Sequence, residues 1–409
     1  MRNDANWKPV LSAAHEPPRI GSRYPVAVSM NPLLSKRVNE IDVSGIRRAF
    51  QLGAKLENPI NLSIGQPDFA VPEPVKQATI EAIEQDQNGY TLTAGNPLLL
   101  EAIRTHLKDD VGWDLDRDDL DALVTSGTSG ALLLSFMALL DPGDEVIIAD
   151  PYFVVYTALG PMTNATIKLC DTYPDFRMTA ERVEPLLTNR TKIVLVNSPA
   201  NPTGVVLTKQ ELDDLADLCR DRGIMLISDE IYDLFTWPEH LDETGHCPSP
   251  ARHLDDMLLI RGFGKTYGCT GWRLGFAAGP TWLISEMAKL QQYSFVCAPS
   301  MAQVGAIAAM HTDMQPVIER YHARSRMVVD AFEGLTELSE PGGAIYAFIK
   351  VPEHMGCSAT EFCEEAIRQN VIVIPGNVFS QRDTHFRLSI AADEDRLAEG
   401  LDILTGMMQ

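Results

Sequence analysis

From Ala122 onward the chain alternates short, nearly continuous apolar runs with amphipathic stretches. ALVTSGTSGALLLSFMALL reads as a strand, a Gly/Ser/Thr turn and an apolar helix. DEVIIADPYF is a strand ending in a turn, KIVLVNSPANPTG a strand closed by a Pro-rich loop, and ELDDLADLCRDRG a helix stopped by Gly223. IMLISDEIY, DMLLIRGFGK and RLGFAAG supply further short apolar strands. Strands that are apolar on both faces and separated by helices predict an α/β fold with a mainly parallel, buried sheet.

The two ends of the chain differ from this middle. The first two dozen residues are polar and Pro-rich and read as a loose arm. Helical patterning follows over Leu33–Leu52, then NPINLSIGQPDF as a strand leading into a loop, and a helix over Pro72–Gln85. After about Gln303 a long helical stretch runs to about Phe332, followed by the strand-like GGAIYAFIKV, VIVIPG and HFRLSIA. The expected organisation is an arm (1–30), a large domain (61–302), and a smaller α+β domain formed by residues 31–60 and 303–409.

Composition narrows the function classes. The chain has 409 residues, enough for a sizeable core. A formal charge of −22 argues against nucleic acid, whose phosphates require clustered Lys and Arg. The seven cysteines include no CxxC pair, and the nearest two, Cys357 and Cys363, read as free thiols of a reducing compartment. No signal-peptide core and no stretch of roughly 20 apolar residues occurs, so a cytoplasmic protein without membrane contact is expected.

The strongest chemical feature is IRGFGKTYGCTGWRLGF. Lys265 lies between strand-like segments, flanked by Gly262, Gly264 and Gly268, where a partly desolvated amine could form a Schiff base. Arg273 follows, with a guanidinium fork suited to phosphate. Alone, such a lysine reads better as a surface-loop residue. VTSGTSGALL places Gly127, Thr128 and Ser129 at a helix N-terminus, which is an anion site or a plain N-cap. It is neither a Walker loop nor a GxGxxG dinucleotide fingerprint. ISDEIY puts Asp229 at the end of a strand, where α/β sheets meet their ligands, as a partner for a cationic ring nitrogen, with Tyr232 a hydroxyl donor. Asn201 in NSPANPTG ends another strand, or simply makes an Asn-Pro turn.

SIGQPDF, YTLTAGNP, VTSGTSGAL, DPYF, NSPANPTG, SDEIY, GFGKTYGCTGWRLG and FRLSIA together resemble, in order, the class I/II aminotransferases, the fold-type I pyridoxal-phosphate enzymes of the aspartate aminotransferase superfamily. The resemblance covers the chain from about Met30 to its end. It implies a seven-stranded sheet in the large domain, pyridoxal 5′-phosphate as cofactor, and ping-pong exchange of an amino group between an amino acid and a 2-oxo acid. Lys265 would carry the cofactor and move the substrate Cα proton. Asp229 would hold the ring nitrogen protonated, Tyr232 and Asn201 would bond the ring's phenolic oxygen, and Phe153 would stack on the ring. Gly127, Thr128, Ser129 and Arg273 would bind the phosphate, joined by Tyr90 from the neighbouring subunit of a homodimer with shared sites. Arg387 would clamp the substrate carboxylate, with Asn201 and the Gly65 backbone beside it.

The chain departs from the family pattern at two places. Gly262-Phe263-Gly264-Lys265 stands where SFSK is usual, removing a serine hydroxyl from the phosphate site, a loss of about 0.5–1.5 kcal/mol. GNPLLLEAI also lacks the charged residue common after the TAG turn. The same cofactor contacts would serve a C–S lyase. A cofactor-sensing regulator is the non-enzymatic alternative, but it would need a basic DNA-binding domain ahead of the fold. For the substrate, aspartate with 2-oxoglutarate is the leading expectation, with alanine, aromatic or branched side chains open. Arg19, Arg23, Lys36 and Arg37 are the cations of the segment that closes over such sites, or are solvent-facing.

Overall fold

The computed structural model describes residues 33–41, 56–116 and 119–409. Its main sheet has seven strands: β2 (Leu120–Ser126), β3 (Glu145–Asp150), β4 (Thr166–Asp171), β5 (Thr191–Asn197), β6 (Met225–Asp229), β7 (Leu258–Gly262) and β8 (Leu274–Pro280). Their spatial order is β2-β8-β7-β6-β5-β3-β4, and only β8 runs against its neighbours. The alternating side chains of a strand explain why these runs are apolar throughout. Along β5, Val194 and Val196 enter the core on one face of the sheet, while Ile193 and Leu195 enter the core on the other. β6 does the same with Leu226 and Ile227. A sheet covered on both sides leaves its strand ends as the place where polar groups can meet a ligand.

The covering helices follow their sequence signals. Lys209–Arg222 opens with a capping box between Thr208 and Glu211 and stops at Gly223, which is left-handed (φ 64°). Gly127–Leu139 buries Leu132, Leu134 and Phe136 and packs between the sheet and the helix Thr281–Gln292. No separate turn divides β2 from this helix, because a left-handed Gly127 makes the change of direction in one residue.

A second set of elements lies at the C-terminal part of the chain. β9 (Tyr346–Lys350) and β11 (Ile374–Pro375) flank β12 (His385–Ser389) in an antiparallel sheet. β1 (Ile60–Asn61) pairs in parallel with β10 (Val371–Ile372). Phe332, Phe362, Phe386, Leu388 and Leu397 fill a core of their own beneath the helices Gln315–Phe332, Ala359–Arg368 and Glu394–Met408.

Three expectations need correction. The helical stretch up to Phe332 is two helices, Ser300–Ala309 and Gln315–Phe332. Asp313 caps the break by accepting from Gln315 N (2.9 Å), and Pro316 sits in the first turn of the second helix. VIVIPG is two short strands serving different sheets, and NPINLSIGQPDF contributes only the two residues of β1. Of the helix expected over Leu33–Leu52, the described helical part is Lys36–Asn39, which carries Lys36 and Arg37. Residues 33–35 and 40–41 are described and not helical, while 42–52, like Arg19 and Arg23, lie outside the described residues. Among the described residues no helix is long and apolar enough to cross a membrane.

Candidate active site

β5, β6 and β7 run parallel, so Asn197, Asp229 and Gly262 reach the same edge of the sheet, with Asn197 directly opposite Asp229. The Asp229 carboxylate is almost wholly buried and accepts from the Tyr156 hydroxyl (2.8 Å) and the Ile231 amide (3.3 Å). Burial pushes its pKa up from 3.8 to about 6, against the lowering effect of the Tyr156 bond. The Tyr156 phenol is in turn driven well above its ordinary value, first by burial and then by the carboxylate beside it.

Two asparagines link the Asp229 backbone to a guanidinium. Asn197 Nδ2 donates to the Asp229 carbonyl (2.7 Å), and its Oδ1 accepts from the Asn201 amide (2.9 Å). Asn201 Oδ1 accepts from Arg387 Nη1 (3.1 Å), while Arg387 Nη2 donates to the Ser63 carbonyl (2.9 Å). Arg387 is buried between the rings of Tyr346 and Phe379, 4.3 and 4.5 Å from its Cζ. Its Nε has no partner. Burial lowers the Arg387 pKa, partly offset by the two phenols of Tyr346 and Tyr232.

Lys265 follows β7 on the one-turn helix Phe263–Thr266 and is half-buried. Its Nζ donates to the Gly65 carbonyl and lies 5.9 Å from the centre of the Tyr232 ring. A Cβ on Gly65 would run into the Tyr346 hydroxyl, so only glycine lets this backbone pass so close.

The third corner is the start of the helix Gly127–Leu139, where Ser126 makes no side-chain cap and Gly127, Thr128 and Ser129 occupy the first turn. Arg273 packs over it, with Nη2 2.7 Å from where a Gly127 Cβ would stand, and is itself left-handed (φ 54°). The structure also accounts for the missing serine. A Cβ at Gly262 would stand 2.7 Å from Ile231 Cδ1 and 3.0 Å from Thr128 Cγ2, so its space is taken by neighbours.

Phe153 precedes the helix Val154–Thr163 and, with Tyr152, Asn197 and Asn201, lines a small cavity of about 30 Å³. Neither Lys265 nor Arg273 lines it; Asn197 and Asn201 connect it by hydrogen bonds to the Asp229 backbone and to Arg387. Tyr232 is buried, its hydroxyl donating to that of Tyr346 (3.2 Å). Tyr90 is not brought to this group within the chain. It is 87% exposed and borders a separate hollow with Gln87, Asn96, Ser300 and Val304.

Sequence reading missed Tyr156, Asn197, Tyr346 and Phe379. Asn197 lies within NSPANPTG, a motif already singled out, and Tyr156 three residues past DPYF, so their proximity was a usable signal. Tyr346 and Phe379 carried no such signal.

A family model described as aminotransferase class I and II matches residues 57–404, and the chain belongs to that family. It is a transaminase. The probable aspartate aminotransferase of Methanocaldococcus jannaschii is 34% identical over 91% of this chain and 99% of its own. The probable N-acetyl-LL-diaminopimelate aminotransferase of Bacillus subtilis is 33% identical over 92% and 95%. The crystal structure of aspartate aminotransferase from Thermotoga maritima superposes with a TM-score of 0.83 at 33% identity, covering 91% of this chain and 99% of that one.

Proposed function

We propose that this transaminase uses pyridoxal 5′-phosphate to exchange an amino group between an L-amino acid and a 2-oxo acid by a ping-pong mechanism. The reading is carried by the hydrogen-bonded line from the Asp229 backbone carbonyl through Asn197 and Asn201 to Arg387, which ties the strand end bearing a buried carboxylate to a buried guanidinium. The residues fit the cofactor: an uncapped helix start under Arg273 suits a phosphate, and a buried carboxylate without a cation suits a protonated ring nitrogen. Gly127, Thr128, Ser129 and Arg273 would hold the phosphate, Asp229, Asn201 and Tyr232 the ring edge, and Phe153 its face. When bound, the cofactor supplies the electron sink that stabilises charge at the substrate Cα.

The chain's own groups do the rest. Lys265 Nζ removes the Cα proton and, once protonated, returns it on the way to product. Arg387 receives the substrate carboxylate, whose second oxygen satisfies the orphaned Nε. Asn201 keeps that guanidinium in plane. Tyr232 must exchange its present bond to Tyr346 for one to the ring. Tyr90, exposed with Leu92 and Tyr293, would complete the phosphate site of a second copy in a homodimer. The elements after residue 303, with β1, would act as a smaller domain against the larger 61–302 part, in a cytoplasmic enzyme.

Aspartate with 2-oxoglutarate is the proposed substrate pair. Among the described residues no lysine or arginine lines the small cavity beside Asn201, and an uncharged alanine-type or aromatic side chain is the second reading. The test is to load the purified chain with pyridoxal phosphate and add single amino acids without a keto acid. One equivalent of keto acid, with loss of the visible band, is expected. No chromophore, or release of ammonia and pyruvate from a cysteine-type substrate, sinks the reading. Lys265→Ala should lower kcat by on the order of 10³-fold or more while the protein stays folded.

A further inference from the structure

We propose that Tyr346 is a positioning residue of this transamination site: its ring fixes the Arg387 guanidinium, and its hydroxyl fixes the backbone and side chains around Lys265. The inference rests on the reading above and names a residue that reading does not use. Tyr346 is buried at the start of β9, and the pairing of Arg387 with Phe348 and of Ser389 with Tyr346 puts it diagonally beside Arg387 on one face of the sheet. The guanidinium lies against two aromatic rings, Tyr346 and Phe379, with no carboxylate partner among the described residues. A planar cation gripped on both faces keeps its edge free for a planar anion.

At its other end the hydroxyl accepts from Tyr232 and abuts Gly65, whose carbonyl receives Lys265. One side chain therefore touches the carboxylate clamp, the loop under the reactive amine, and the phenol expected at the cofactor ring. The Tyr232 bond uses the oxygen of Tyr346 and leaves its proton free to donate. Burial pushes both phenols up, but the charges of Lys265 and Arg387 bring Tyr346 below its ordinary value while Tyr232 stays well above. A core tyrosine satisfied by one hydroxyl partner would show the first two contacts but would not join the two functional ends.

The two halves of the side chain separate by substitution. Tyr346→Phe keeps the ring and loses the hydroxyl. Tyr346→Leu loses both, and Phe379→Leu removes the other face of the grip should the first fold poorly. Binding of two unreactive carboxylates, maleate and 3-phenylpropionate, is measured by calorimetry on the cofactor-free chain, and kcat and KM on the loaded enzyme. Tyr346→Phe should leave carboxylate affinity and KM within about twofold and lower kcat by about 2–10-fold, the size of one neutral hydrogen bond. Tyr346→Leu and Phe379→Leu should each weaken carboxylate binding by about 2–30-fold, the range of a desolvated cation–π contact. An active wild type whose Tyr346→Phe variant keeps full kcat, or whose two leucine variants keep full carboxylate affinity, overturns the inference alone. A wild type that binds neither carboxylate and forms no keto acid overturns the functional reading and this inference with it.

Discussion

Asp229 and Glu230 are neighbours in sequence, both buried, and treated in opposite ways by the fold. Glu230 Oε2 is 2.9 Å from Arg261 Nη2, and its Oε1 accepts from Ser228 (2.8 Å) and Ser249 (2.7 Å). Arg261 is shared with Asp110 (2.5 Å) and Asp233 (3.5 Å), and Asp110 in turn with Arg252 (2.5 Å). These cations hold Asp110 down at about 2 against its burial, and burial takes the adjoining His106 down to about 4. Across the same strand end, Asp229 has a phenol and an amide and no ion-pair partner among the described residues. Burial raises the pKa of both carboxylates, but Glu230 has a guanidinium and two hydroxyls to hold it. Asp229 has no cation among the described residues, which leaves it to be completed by a ligand.

The comparison can be broken first on the paired side. Glu230→Gln leaves Arg261 with Asp110 and Asp233 but removes a charged acceptor from a dry site, and should destabilise the chain by about 1.5–3 kcal/mol in denaturant unfolding. A loss below about 1 kcal/mol would mean that the network is not holding the fold. On the unpaired side, Asp229→Asn should leave unfolding stability equal or higher. It should lower kcat by about 10²–10³-fold, because the lost group acts electrostatically on the reacting system. Equal activity in that variant would remove Asp229 from the mechanism.

The pH dependence of stability sharpens the contrast further. Asp229 has its folded pKa raised from 3.8 to about 6, so between those values the folded state binds more protons than the unfolded one. Stability of the cofactor-free chain should therefore fall as pH rises from about 4 to 6, and Asp229→Asn should flatten that slope. The last substitution is Tyr156→Phe. Losing one hydrogen bond to a charged acceptor should cost about 1.5–3 kcal/mol above pH 6 and move the acidic limb of the kcat profile upward. An unmoved limb would show that this limb does not report on Asp229.

Much of this contrast was legible in the chain. Asp229 ends, and Asn201 and Lys265 closely follow, strands that are apolar on both faces, and in such a sheet the polar residues at that strand end fall at the ligand edge. Tyr346 could not be read in this way. Its importance comes from the register between β9 and β12 and from the passage of Gly65 beneath it, both of which join segments far apart in the chain. The break at residues 311–313 was hidden for the opposite reason. Apolar periodicity persists on both sides, and only a local cap and a proline interrupt it. The serine missing before Lys265 was visible, but the sequence could not say that Ile231 and Thr128 had closed over its place.

The reversed direction of β8 has a consequence for how this site can change. Because β7 and β8 are antiparallel and paired at Gly262–Gly275, the chain between them returns to the same edge of the sheet at once. A parallel neighbour would need a long crossover and would start again from the far edge. Lys265 and Arg273 thus sit on one short connection, clamped at both ends by adjacent strands. The distance between amine and guanidinium is set by local chain length, whereas every other spacing in the site depends on elements that must find one another. An insertion in this connection should alter both groups together, while loops elsewhere remain free to diversify around a fixed pair.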